Sequence, residues 1–244
     1  MVEIKNLEKS FGKLKVLRGV DLSIRKGSLT AILGPNASGK TTIIKSILGL
    51  VIPDSGEIFV DGKPVRGNWD YRNSIGYMPQ IARFPENLAI SEVISMLKDI
   101  RGSHGSADSL LSLFELQPAL KQALRNLSGG TRQKVNAVLA LMFDAPLLIM
   151  DEPTSGLDPV SLIKLKELIS AEREKGKTIL LTTHIMGLVE ELADEIVFLL
   201  EGKIYFQGSI QQLRDSYQEE RVERAIAKMM SGSKSNNQNL TSKI

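Results

Sequence analysis

The chain has 244 residues, 42% of them hydrophobic, and its 31 basic and 28 acidic side chains leave a formal net charge of +3. This is enough for one large α/β domain or two small ones with an ample core. The absence of cysteine excludes disulfides and thiolate metal sites, and two histidines, His104 and His184, cannot build a histidine cluster. Lys and Arg are spread along the chain without an aromatic-interleaved basic stripe, so a solvated face is expected and no nucleic-acid partner. The longest apolar runs, around Ala137 to Phe143 and Ile196 to Leu200, are far short of the roughly 20 residues that cross a bilayer. No basic, apolar, small-residue leader opens the chain.

In chain order, Val2 to Leu7 and Val16 to Ile24 read as strands about a turn near Gly12. Ser28 to Leu33 is an apolar run of strand length that leads into Gly34-Pro35-Asn36-Ala37-Ser38-Gly39-Lys40-Thr41, the G-x-x-x-x-G-K-S/T spacing. Glycines at both ends let the backbone curl until its N–H groups point inward, and the helix that follows offers its positive end. Lys40 adds a charge for the terminal phosphates, and Thr41 a hydroxyl for Mg²⁺. That helix is marked by Ile43, Ile44, Ile47 and Leu48, with Gly49 as its stop. Gly56 to Val60, after Pro53-Asp54-Ser55, reads as another strand.

From about Glu86 to Asp144 the pattern is helical, with a loop at Ser103 to Ser106. Leu147-Leu148-Ile149-Met150 then runs into Asp151-Glu152-Pro153. A buried strand ending in two carboxylates places them at the carboxyl edge of a parallel sheet, where ligands of such sheets sit. In that place Asp151 serves Mg²⁺, and Glu152 faces the attacking water as general base or water-orienting group. Helices Pro159 to Lys175 and Gly187 to Ala193 alternate with strands Thr178 to Thr183 and Ile196 to Leu200, which argues for a parallel sheet, and a hairpin follows at Glu201-Gly202-Lys203. Ile210 to Met230 reads as a helical stretch, and Ser231 to Ile244 as a polar, disordered tail.

Between the loop and the acidic strand lies Leu127-Ser128-Gly129-Gly130-Thr131. With that element the chain resembles the ATP-binding subunits of ATP-binding cassette (ABC) transporters, from Met1 to about Gln207. The resemblance implies an α/β fold of the ABC-type P-loop NTPases: a mixed sheet core, an antiparallel β layer and an inserted helical subdomain, about 86–145. The cassette would span 1–209, and 210–244 would be a C-terminal extension. Gly34 to Thr41 with Thr42 would bind ATP, with Phe11 stacked on adenine. Gln80 would sense the γ-phosphate and contact Mg²⁺ or water, His184 would be the switch histidine, and Asp158 would couple the two sites of a dimer. Singly, each has a plainer reading: Phe11 as core, Gln80 as surface, Asp158 as the N-cap of a helix whose first residue is Pro159.

The resemblance also implies a homodimer or paired ATPase in which Leu127 to Thr131 of one chain cap the nucleotide of the other. A separate membrane permease would be driven from the cytoplasmic face, with no cargo bound directly. Gln80 to Leu88 would move with the nucleotide and receive a permease helix, with Phe84 and Leu88 as apolar anchors or, alternatively, as core. Thr131 replaces a commoner Gln, and Ala37 a usual Gly at a position that often wants positive φ. The signature Leu127 to Thr131 followed by Arg132-Gln133-Lys134, together with Tyr77-Met78-Pro79-Gln80 and Arg83 to Leu88, looks most like that of the ATPase subunits of copper-handling transporters that mature nitrous-oxide reductase. A soluble ABC ATPase, such as an iron–sulfur assembly factor, is the alternative. A P-loop kinase or switch GTPase is disfavoured by Leu127 to Gly130 and by the lack of an Asn-Lys-x-Asp string.

Overall fold

A computed structural model describes residues 1–102 and 105–241, so that His104 lies outside the described residues. The short strands β3 (Leu29–Leu33), β7 (Leu147–Asp151) and β8 (Thr178–Thr182) are buried at every position. Covered on both faces, they need apolar residues without alternation, which is why each reads as a continuous run. With β6 (Ile75–Met78), β9 (Glu195–Leu200) and β10 (Lys203–Gly208) they form a six-stranded sheet of order β10-β9-β3-β8-β7-β6. All its pairings are parallel except β9 with β10 at the edge. A second, antiparallel sheet has the order β2-β1-β4-β5, built from β1 (Val2–Phe11), β2 (Leu14–Ile24), β4 (Ser55–Val60) and β5 (Lys63–Pro64).

Alternate residues of the central strands enter two cores. Ile32, Ile149, Leu180 and Val197 pack with the antiparallel sheet and with Ile43, Ile44 and Ile47 of α1 (Lys40–Ile47). Ala31, Leu33, Met150, Leu181 and Phe198 face the other side. There lie α2 (Ile90–Arg101), α3 (Asp108–Leu113), α4 (Gly129–Leu141), α5 (Pro159–Glu174), α6 (Met186–Leu192), α7 (Ile210–Tyr217) and α8 (Val222–Thr241). Residues between β6 and β7 supply α2, α3 and α4, and this helical insert is zipped to itself where Leu124 N donates to Leu88 O at 2.9 Å and Arg125 N to Glu86 O at 2.9 Å.

Strand β6 has no counterpart in the sequence reading. It is four residues long and contains a glycine, because α4 crosses it so closely that a Cβ at Gly76 would stand 2.3 Å from the Ala140 carbonyl oxygen. The C-terminal stretch also differs from expectation. It is two helices, broken at Gln218, which takes a left-handed φ of 50°. Leu213, Val222, Ala225, Ile226 and Met229 are buried in the same core as the sheet. The break resets the phase of these apolar positions, which explains their irregular period. The backbone beyond Ser231 is helical as far as Thr241, where the polar composition led to the expectation of a disordered tail. A helix already nucleated and anchored by Val222 to Met229 extends at little cost per residue.

Candidate nucleotide-binding and hydrolysis site

The loop after β3 closes at the start of α1. A Cβ on Gly34 would lie 2.1 Å from the Leu199 carbonyl oxygen, so only glycine fits beside β9. Ala37 takes φ 62°, the left-handed conformation expected for it, at a cost of about 1–2 kcal/mol. Lys40 Nζ donates to Gly34 O at 2.7 Å and to Pro35 O at 3.0 Å, which leaves one of its three donors. Burial lowers the Lys40 pKa, opposed by the charges of Glu152 and Asp151. Ser38 Oγ is buried without a hydrogen-bond partner. A buried ammonium with a donor to spare beside an orphaned hydroxyl fits an anion such as a phosphate. Pro35, Asn36 and Ala37 stand exposed on the rim, and Thr42 is partly buried on the first turn of α1.

The acidic pair stands where strand order predicts, at the carboxyl end of β7, which lies between β8 and β6 with β3 one strand further along the sheet. Asp151 Oδ2 accepts from Thr41 Oγ1 at 3.0 Å, and Oδ1 accepts from Thr182 Oγ1. Glu152 is the first residue past the strand, with φ 49°, and its N–H is shared between Thr182 O and Thr182 Oγ1, each at 3.1 Å. Its carboxylate Oε2 lies 2.9 Å from His184 Nδ1. The Tyr77 phenol on β6 is pushed up to about 12 by burial and by the Asp151 charge, which keeps it neutral. Thr41 and Asp151 therefore present oxygen donors of the kind Mg²⁺ prefers, while Glu152 and His184 form a second, separate pair.

The structure thus unites Thr41, Asp151, Glu152 and His184 with the loop. The other expected residues stand apart from this cluster. Phe11 is 51% exposed at the end of β1, not core, with the Lys9 ammonium 5.4 Å from its ring centroid. Gln80 is exposed, two residues past Met78, whose parallel partner is Met150, so Gln80 and Glu152 leave adjoining strands at one edge. Among the described residues no hydrogen bond or ion pair joins Leu127 to Thr131 to the loop at 34–41 of the same chain. Ser128 instead caps α4: its Oγ accepts from Thr131 N at 3.2 Å and lies 2.9 Å from Thr131 Oγ1. Leu127 is buried, Gly129 is exposed, and a Cβ on Gly130 would be 3.0 Å from Gly156 O, so the element abuts the loop that follows Glu152.

Asp158 caps α5, accepting from Ser161 N at 2.9 Å and Ser161 Oγ at 2.7 Å, with Lys134 Nζ 3.0 Å away. Bonds from Ser161, then from Lys134, hold its carboxyl well below the usual range. Sequence reasoning missed three further residues. Thr182 bonds both members of the acidic pair, and its signal was a polar residue closing the apolar run Ile179 to Leu181. On α4, Gln133 Nε2 donates to Pro153 O at 3.0 Å and Asn136 Nδ2 to Pro79 O at 2.7 Å. These amides, three residues apart, pin α4 to the residue after Glu152 and to the residue before Gln80.

Sheet order, phosphate loop and acidic strand end together define a P-loop nucleotide-hydrolysing domain. The family model described as "ABC transporter" matches residues 17–155, and the chain belongs to that family. It is 36% identical over 210 residues to the lantibiotic transport ATP-binding protein SrtF of Streptococcus pyogenes, covering 85% of this chain and 90% of that one. It is 32% identical over 221 residues to the Nod factor export ATP-binding protein I of Burkholderia lata, covering 88% and 73%. Among solved structures it is similar to an ATP-binding subunit of an ABC transporter, with TM-score 0.88, 29% identity, and 94% and 99% of the two chains covered. It is also similar to an ATP-binding cassette in a dimeric, post-hydrolysis state bound to ADP and Pi, with TM-score 0.77, 26% identity, and 86% and 99% covered. The chain is an ABC ATPase, an ATP-binding subunit of transporter type.

Proposed function

We propose that two copies of this chain, or one copy and a paired ATPase, hold two ATP molecules head to tail and drive a separate membrane permease. The observation that carries this reading is the division of labour at the sheet edge. Asp151 is occupied by Thr41 and Thr182, while Glu152 is bonded at one carboxylate oxygen, by His184. Gly34 to Thr42 and Lys40 would bind the phosphates, and exposed Phe11 would stack on adenine. Thr41, Asp151 and Gln80 would hold Mg²⁺, which when bound neutralises charge on the β- and γ-phosphates. Glu152 takes up the proton of, or orients, the attacking water, with its carboxylate fixed by His184. The signature Leu127 to Thr131, unattached to its own loop, is left to meet the partner's γ-phosphate through Ser128 and the N–H groups of the α4 N-terminus. Asp158, beside it, is placed to couple the two sites.

For the permease, support comes from an apolar groove of about 280 Å³ whose lining includes Leu50, Tyr77, Phe84, Leu97, Arg101 and Phe143. Phe84 is partly buried against the helical core and also lines this groove, so it can act as floor and anchor together. Leu88 packs against the same core. No described helix is long and apolar enough to cross a membrane, in keeping with a peripheral subunit on the cytoplasmic face. The relatives named for lantibiotic transport and Nod factor export favour a transporter over an assembly factor, with cargo carried by the permease. Copper handling gains no support from those names.

The test is Glu152→Gln. It should retain ATP binding, lose turnover by about 10²-fold or more, and accumulate an ATP-bound dimer in size-exclusion with light scattering. Turnover within about threefold of the parent would remove Glu152 from the role given to it.

A further inference from the structure

We propose that Thr131 is a positioning residue that orients the Ser128 hydroxyl to donate its proton across the dimer interface. The proposal rests on the reading that Ser128 meets the partner's γ-phosphate. A serine hydroxyl has one donor and two acceptor sites. At Ser128 one acceptor site is filled by the Thr131 N–H at 3.2 Å, the ordinary N-cap bond. The Thr131 hydroxyl lies 2.9 Å from the same oxygen, and either atom can be the donor.

The two arrangements differ in what they leave for a ligand. If Ser128 donates to Thr131, its proton is spent inside its own chain and the serine offers an anion only lone pairs. If Thr131 donates, both acceptor sites of Ser128 are filled and its single O–H must point outward. A phosphate oxygen in front of Ser128 selects the second arrangement. The bonds then run in one direction, from Thr131 O–H to Ser128 O–H to the phosphate, each polarising the next. Thr131 itself touches no nucleotide in this scheme. Arg132 N donates to Ser128 O at 2.9 Å, and Ser128 sits in an extended N-cap conformation, φ −62° and ψ 160°, so the serine backbone is fixed and the threonine hydroxyl chooses the direction of the proton.

The experiment uses the full chain carrying Glu152→Gln, so that ATP-driven dimers accumulate, and adds Thr131→Val, Thr131→Ser or Ser128→Ala. Valine keeps the shape and the N–H bond and removes only the hydroxyl; Thr131→Ala does the same without a β-branch and guards against misfolding of the valine variant. Dimer dissociation constants are measured by sedimentation at saturating ATP with Mg²⁺, and nucleotide affinity of the dilute single chain by fluorescent-ATP titration. One lost bond should cost about fivefold, and two per symmetric dimer about 25-fold. Thr131→Val and Thr131→Ala should weaken dimerisation by that amount with single-chain affinity unchanged, and Thr131→Ser should stay within about twofold of the parent. Thr131→Val dimerising like the parent, or Thr131→Ser failing as badly as Thr131→Val, overturns the proposal while Ser128→Ala still weakens the dimer. If Ser128→Ala also has no effect, the trans reading of the signature is wrong and the role of Thr131 falls with it.

Discussion

Replacing Thr182 with valine takes away one hydroxyl and almost no volume, at a position that is fully buried. The hydroxyl donates to Asp151 Oδ1 and shares the Glu152 N–H with its own carbonyl. Glu152 N therefore keeps a partner, and the loss is one bond to a carboxylate that is 2% exposed. Such bonds to charged groups are worth about 1.5–3 kcal/mol, and water cannot take this one over. For a chain of this size each kcal/mol lowers the melting temperature by about 2–4 °C, so a fall of about 3–12 °C is expected. Activity should fall further than stability suggests. Asp151 would keep only Thr41 as a side-chain partner and rotate about it, and a shift of about 1 Å in such a group can cost up to about 100-fold. Calorimetric melting and steady-state hydrolysis across a Mg²⁺ titration read both effects. A variant that melts within about 1 °C of the parent and hydrolyses ATP at the parent rate would refute the argument that Thr182 fixes the acidic pair.

Two other outcomes follow from local chemistry. Ala37→Gly should relieve about 1–2 kcal/mol of left-handed strain, offset by about 0.5–1 kcal/mol of glycine entropy, so the melting temperature should hold or rise by a few degrees; a clear fall would show that the Ala37 methyl is a favourable contact. On α5, burial disfavours the charged form of Glu172, yet bonds from Lys175 and Lys177 outweigh it and lower its pKa from 4.5. A depressed folded pKa gives stability that is present above the unfolded value and lost as pH falls through the folded one. Lys177→Met should therefore lower the melting temperature at neutral pH and flatten its decline between about pH 5 and pH 3; a variant with the parent's melting temperature and acid slope would contradict the pairing.

The parts of the fold legible in the sequence were those whose residue types have no alternative use. A glycine-flanked loop ending in Lys40-Thr41 and an apolar run closing on Asp151-Glu152 can be recognised singly, because each demand, on backbone conformation or on charge at a sheet edge, is local. Strand β6 was not legible: Ile75-Gly76-Tyr77-Met78 is too short to show a period, and its glycine answers to α4, which comes more than 50 residues later. Gln133 and Asn136 were not singled out, because their partners are proline carbonyls, which carry no side-chain signal. The plainer reading of Phe11 as core failed for a similar reason, since an aromatic at a strand end has the same letter whether buried or exposed. For Asp158 the plainer reading describes the geometry, an N-cap over Pro159, and leaves a coupling role to be tested in the dimer.

The central claim is that each catalytic site is assembled from two chains, the loop and acidic pair of one with the signature of the other. Mixing a Lys40→Ala chain with a Ser128→Arg chain tests it most directly, because each homodimer has two damaged sites while the heterodimer has one site with both defects and one intact. ATP hydrolysis by the mixture, with heterodimers verified by differential tagging, should recover partially while each variant alone stays inactive. A mixture as inactive as its parts, despite verified heterodimers, would contradict the shared site.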